Sequence, residues 1–308
     1  MKNLLTLVIA LHLSLAAVSA GDLSHFRIDR SLLADKNLTI TKNLIELPDF
    51  GEIPDAVRVK RGALVHTRQL NGLDTGKGDF GFGDLIGQLE GICRAFDAEL
   101  ADVAKLNFYV ADDSLDLRGA ILGGMTTRWE KGKHPAVTIV RTPLPGDTRI
   151  AADAVFAAED KTGKIERFER DAASMPANRD IIYVSGRAAS GEIAEATSGT
   201  MEELFAVLEH LGSTPADVVQ VKAFIRPMSE WETGEREIEK SFGDLGAPPL
   251  IFVEWSSTSR ATEIELIAAA PERLDTNETI TYFTPPEDKR SDVFSRVARI
   301  HADEVIYI

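Results

Sequence analysis

Apolar residues recur along this chain in two periods, one suited to strands and one to helices, and the order in which the periods alternate organises the sequence. Between Arg179 and Pro271, the strand-like run Ile181-Ile182-Tyr183-Val184-Ser185-Gly186 precedes Met201, Leu204, Phe205, Leu208 and Leu211. Spacings of three and four residues put those five side chains on one helical face, and Gly212 supplies the C-terminal cap. Val219, Val221, Ala223 and Ile225 then alternate as a strand. Ser229 and Glu232 have the spacing of a capping box that opens a second helix, and residues 250–255 and 263–269 read as closing strands. A strand–helix–strand–helix–strand order with short links is one α/β unit, a sheet carrying both helices on one face.

The same order appears earlier. Residues 56–59 and 63–67, separated by Lys60-Arg61-Gly62, predict a β-hairpin. Leu85, Leu89, Ile92 and Phe96 mark a helix, 103–110 a strand, Leu117, Ile121 and Met125 a second helix, and 137–140 and 150–157 further strands. Ala101-Asp102-Val103 and Ala216-Asp217-Val218 are 115 residues apart, Thr67 and Ser185 118, and Pro135 and Pro248 113. Near-constant offsets over a whole unit mean tandem duplication. Residues 297–300 and 305–308 predict another hairpin, and Val305-Ile306-Tyr307-Ile308 matches Ile181-Ile182-Tyr183-Val184, so the tail reads as the start of a third repeat. A strand there presents an edge that a neighbouring sheet, or more of a third repeat, has to pair. The expected organisation is a leader at 1–20, an arm at 21–50 with a strand at 38–47, units at 51–160 and 161–272, and the tail at 273–308. Each unit is expected to be α+β, a mixed sheet with two helices packed on one face.

Composition narrows the function classes. An apolar fraction of 44% in 308 residues suffices for two cores. The balance of 34 Lys and Arg against 49 Asp and Glu gives a formal charge of -15, with no basic cluster, so no nucleic-acid partner is expected. Lys2, the apolar run 4–18 and Val18-Ser19-Ala20 before Gly21 have the form of a signal peptide cleaved after Ala20, favoured over a membrane anchor because the run is short. The mature protein is then secreted or periplasmic, with no membrane association. Asn37-Leu38-Thr39 and Asn277-Glu278-Thr279 match the glycosylation pattern. The lone cysteine, Cys93, cannot form an internal disulfide, and its apolar company favours a buried thiol over a nucleophile. The glycine-rich run 72–83 lacks the Gly-Lys-Ser/Thr ending of a phosphate loop and reads as a flexible linker. His66 and His210 have no partners at metal-ligand spacing, so neither a metal nor a cofactor is expected.

Several features of the second unit together resemble the RidA/YjgF family. These are the strand ending in Ser185-Gly186, the bridge Gly212-Ser213-Thr214-Pro215-Ala216-Asp217-Val218, Pro248-Pro249 before the fourth strand, and the Glu-Ile-Glu of the last strand. The likeness extends, more diverged, to the first unit. It implies a chorismate-mutase-like fold, assembly as trimers or a pseudo-trimer of domains, and hydrolysis of enamines or imines to ketones and ammonia in clefts between units. An arginine would clamp the substrate carboxylate and a glutamate on the last strand would position water. Ser185, Gly186 and Glu263 match that pattern. The arginine position falls on Leu250 in the second unit and Val137 in the first, and the first unit's glutamate position is Ala151. Thr67-Arg68-Gln69 replaces the Ser-Gly-Gln turn. Arg187 and Arg68 sit where they could enter an inter-domain cleft, although a solvated turn arginine is the blander and preferred reading. Glu263 could likewise face solvent beside Glu265. The candidate set is therefore Glu263 as catalytic group and Ser185, Gly186, Arg187, Leu250, Thr67 and Arg68 as ligand contacts. Small-ligand binding with reduced or lost activity is favoured over an active deaminase. An acidic chain without a basic groove also gives little support to the ribonuclease label attached to some relatives of the family.

Overall fold

The computed structural model describes residues 40–47, 51–60, 62–76, 78–112, 114–257, 259–286, 288 and 294–308. The expected signal peptide, most of the arm and the Asn37 triplet lie outside the described residues. In chain order, the elements that build the first part are β1 (Ile40–Leu47), β2 (Gly51–Lys60), β3 (Ala63–Thr67), β4 (Leu70–Asn71), α1 (Phe82–Ala95), β5 (Val103–Val110), α2 (Leu115–Arg128), β6 (Ala136–Arg141), β7 (Ile150–Ala158), β8 (Arg167–Phe168) and β9 (Ala172–Met175). They are followed by β10 (Ile181–Arg187), α3 (Ile193–His210), β11 (Val218–Ile225), α4 (Trp231–Phe242), β12 (Leu250–Glu254), β13 (Thr262–Ala269), β14 (Ile280–Phe283), β15 (Val297–Ile300) and β16 (Glu304–Tyr307).

The strands form three sheets: β6-β5-β7-β3-β9-β8 with β4 on β7, β12-β11-β13-β10-β15-β14, and β1-β2-β16. All three repeat one plan. β9 pairs antiparallel with β3, β15 with β10, and β2 with β16, in matching registers: Met175 opposite Leu64, Ile300 opposite Ile181, Val59 opposite Val305. An outer strand, β8, β14 or β1, then pairs with β9, β15 or β2. The first two sheets go on to β7-β5-β6 and β13-β11-β12. Among the described residues, β16 pairs with β2 alone.

The two expected hairpins are therefore not formed. β2 and β3 lie in different sheets, as do β9 and β10, and β15 and β16. The alternating pattern of each strand is satisfied equally by either partner, and local pattern defaults to the nearest in sequence. A buried ion cluster anchors one exchange: Asp180, fully buried between β9 and β10, accepts from Arg299 Nε of β15 at 2.9 Å and from His301 Nδ1 at 2.7 Å.

Pairing also corrects one offset. Tyr183 stands opposite Ile267 as His66 stands opposite Val155, and Ser185 N donates to Arg296 O as Arg68 N donates to Asp171 O. Arg68 thus corresponds to Ser185 and Thr67 to Val184, an offset of 117 rather than 118. One cross-sheet bond occurs twice. Gln220 Nε2 reaches Thr67 O at 2.8 Å, and Lys105 Nζ, at the same register place one unit earlier, reaches Ile308 O at 2.5 Å.

Each large sheet carries two helices on its outer face. Leu85, Leu89, Leu117, Ile121 and Met125 pack on Leu106, Phe108 and Phe156, and Met201, Leu204, Leu208, Ile238 and Phe242 pack on Val221, Ile264 and Leu266. The inner faces are not solvated. Val57, Val59, Leu64, Val155, Met175, Ile181, Val219, Ile300 and Val305 from all three sheets form one shared core. This burial on both faces explains why Gln220 and Lys222, the polar alternates of β11, are themselves buried.

Two local expectations change. Ser229 and Glu232 do not make a capping box: residues 228–230 form a 3-10 turn running into α4, and Met228 N donates to Glu254 Oε2 at 2.6 Å. A capping interaction contributes about 1 kcal/mol, whereas Ile238 and Phe242 each gain roughly 2 kcal/mol on burial, so packing decides where α4 sits. The two ends of the glycine-rich run pack together at Gly72 and Gly81, whereas nothing lies near the Cβ positions of Gly76 and Gly78. Asp79 accepts from Gly81 N and Gly83 N, and a Cβ on Gly81, at φ +94°, would lie 2.7 Å from the Gly72 carbonyl. Gly212 takes a positive φ just beyond α3, where Leu211 is the capping residue. Among the described residues no helix is long and apolar enough to cross a membrane.

Candidate functional site

A cleft of about 490 Å³ opens where the first sheet meets the second. One wall is the end of β3 with the β8–β9 turn, bringing Arg68, Gln69, Glu169, Arg170 and Asp171. The other is β12 with α4, bringing Trp231, Glu235, Pro248, Leu250 and Phe252. The periodicities explain the second wall: residues 231 and 235 share a helical face, and residues 250 and 252 share a strand face. Gln69 joins the walls in the manner of a short sheet, its N donating to Leu250 O at 2.9 Å and its Oε1 accepting from Phe252 N at 2.8 Å.

Both guanidinium groups are already paired. Arg68 Nε lies 2.5 Å from Asp171 Oδ1, and Arg170 pairs with Glu239. Trp231 and Phe252 meet edge to face, with centroids 5.9 Å apart. Burial raises the Glu235 carboxyl above the usual range, and neighbouring Glu239 adds to this.

The sequence-predicted residues divide between two places. Arg68 and Leu250 line the cleft. Thr67 does not: its side chain is fully buried within the first sheet, where its Oγ1 accepts from Ala154 N. Ser185, Gly186, Arg187 and Glu263 gather elsewhere, at the end of β10 and the start of β13. A Cβ on Gly186 would fall on Glu263 Oε1, so a larger residue there would have to displace the Glu263 side chain. Arg187 is not a solvated turn residue. Its side chain is 11% exposed and pairs with Asp288, with Glu203 at 3.7 Å. Ser185 Oγ is buried and makes no hydrogen bond among the described residues. The carboxyl of Glu263, half-buried rather than facing open solvent, is raised chiefly by burial and next by Glu265, against the opposing charge of Arg296.

Strand register puts Val137 opposite Leu106 as Leu250 stands opposite Val221, and Ala151 opposite Tyr109 as Glu263 stands opposite Phe224. The cleft wall therefore carries an aliphatic residue at the first position. At the second, the first unit offers Ala151, buried against Ile251. Glu263 is the second unit's equivalent of Ala151.

Sequence reasoning missed Gln69, Arg170, Trp231, Glu235 and Phe252 as cleft residues. Trp231 on an otherwise polar helix was the available signal, but the opposite wall of the cleft comes from a different unit. Among the described residues no group of three or more His, Cys, Asp or Glu is placed to hold a metal ion.

Residues 171–270 match the family model described as Endoribonuclease L-PSP, the RidA/YjgF family. No curated protein matches the chain. Among solved structures, the chain is similar to a member of the YjgF/YER057c/UK114 family from Mycobacterium tuberculosis, with 24% identity over 34% of this chain and 84% of that one at a TM-score of 0.28. It is also similar to a Rid-family protein of unknown function from Yersinia pestis, with 19% identity, 39% and 99% coverage and a TM-score of 0.34. A third is a YjgF-family protein from Neisseria meningitidis, with 16% identity, 39% and 96% coverage and a TM-score of 0.30.

Proposed function

Taking the RidA/YjgF match over residues 171–270 as premise, we propose that this protein binds a small molecule in the cleft between its first and second units, with deaminase activity reduced or lost. The observation that carries this reading is the pair of substitutions at the register positions expected to be chemical. Leu250 stands in the wall where the resemblance expects an arginine, and Ala151 stands where it expects a glutamate. Neither side chain can bind a carboxylate or move a proton. The volume, the aromatic pair and the paired charges suit ligand retention. A thermal-shift screen of small molecules, repeated on Trp231→Ala, tests the proposal. Stabilisation that the substitution weakens is expected. A preference for simple 2-keto acids over ligands with an apolar body would count against it.

A second reading has its own support. Glu263, with its raised carboxyl lying against Gly186, has the makings of a general acid–base site. In the first unit, the equivalent region is faced by β12 of its neighbour. We infer that a further α/β unit pairing with the free edge of β16 would supply that wall, giving a pseudo-trimer of domains. Amide exchange tests this: protection of β16 equal to that of β10 is expected, and rapid exchange of its alternate amides would oppose it. Export through residues 1–20 is also proposed, on the hydropathy of that segment. A secreted or periplasmic product with Gly21 at its N-terminus would support it, and an uncleaved chain would oppose it.

A further inference from the structure

Resting on the reading of the inter-unit cleft as a ligand site, we propose that its occupant is an organic cation, an ammonium group carried on an apolar or aromatic body. Four observations converge. Both guanidinium groups in the cleft are already paired with carboxylates, Arg68 with Asp171 and Arg170 with Glu239, which offsets their charge toward a ligand carboxylate. Glu235 lines the cleft, half-buried, and makes no hydrogen bond or ion pair among the described residues. Trp231 stands one helical turn before it, and the Trp231–Phe252 pair lines the same wall, so an ammonium beside the carboxylate has aromatic rings in the same lining. Leu250 and Pro248 continue the wall in apolar surface for the body of the ligand.

Charge favours the same class. The lining has the carboxylates of Glu169, Asp171 and Glu235 against the cations of Arg68 and Arg170. The whole chain, at -15, enriches cations and repels anions near its surface. The groups facing Glu235 are Glu232 and Glu239 on its own helix and Arg68 and Arg170 from the first sheet. Burial disfavours the ionised carboxylate until a cation arrives, so binding draws Glu235 into its charged form and releases a proton in the acid range.

A matched trio tests the proposal: 2-phenylethylamine, 2-phenylethanol and 3-phenylpropionate, titrated calorimetrically into the full chain near neutral pH. The amine is expected to bind about tenfold more tightly than the alcohol, as one carboxylate–ammonium contact with a cation–π contribution predicts, and the carboxylate most weakly. Glu235→Gln is expected to abolish the preference of amine over alcohol while leaving thermal unfolding of the free protein unchanged. If the alcohol or the carboxylate binds as tightly as the amine, and Trp231→Ala weakens that binding, the cation inference falls and the cleft reading stands. If none of the three binds in a way that responds to Trp231→Ala, both fall.

Discussion

Gln69 is the residue through which the two units share the cleft, and replacing it measures how firmly the walls are joined. Its side chain is 5% exposed, and its Oε1 is the acceptor for the backbone N–H of Phe252, itself 4% exposed. Gln69→Met keeps the volume and removes the acceptor. A buried N–H left without a partner costs about 1–3 kcal/mol. Against this, Gln69 Nε2 has no partner among the described residues, so its removal returns part of that cost. The expected net loss is roughly 1–2 kcal/mol. Gln69→Ala adds a cavity and should lose about 2 kcal/mol more. Urea denaturation followed by tryptophan fluorescence reads both, and Gln69→Met should also weaken any ligand held between β12 and β3. If Gln69→Met unfolds within about 0.5 kcal/mol of the native protein, this bridge does not hold the walls and the reasoning fails.

Other expectations concern buried groups. Burial pushes the Cys93 thiol up to about 12, so it should resist a thiol reagent near neutral pH and react once the chain is unfolded. Rapid labelling of the native protein would refute this. His66 is lowered to about 4, chiefly by burial, from 6.5 when unfolded. The unfolded chain then binds the extra proton first, so stability falls as pH drops from about 6.5 to 4, by at most roughly 3 kcal/mol. His66→Phe should flatten that slope in denaturation curves, and an unchanged slope would exclude His66 as its source. Asp180→Asn breaks a buried cluster with Arg299 and His301 and should cost about 3–5 kcal/mol. A loss below about 1 kcal/mol would mean that the cluster does not anchor the strand exchange.

Helix faces and central strands were legible because each has a single outward partner, its own sheet. Met201, Leu204 and Leu208 pack as their spacing predicts, and β5 and β11 fall within a residue or so of the expected bounds. What could not be read was pairing between units. Val57 and Val59 alternate identically whether they face β3 or β16, and nothing local distinguishes the two. The same limit divided the candidate site: Leu250 and Arg68 meet across a sheet boundary, while Ser185 and Glu263, separated by many residues, stay together within one sheet. Arg187 looked like a free turn arginine because its partner Asp288 lies far along the chain. Glu235 gave no signal at all, since an isolated glutamate on a polar helix ordinarily reads as solvated surface.

Ammonia release from a freshly generated 2-imino acid, followed against spontaneous hydrolysis in buffer, tests most directly the claim that the protein binds a small molecule with deaminase activity reduced or lost. The expected result is a rate indistinguishable from buffer for the native protein. A protein-dependent rate that Glu263→Gln abolishes would contradict the account and establish the alternative site as catalytic.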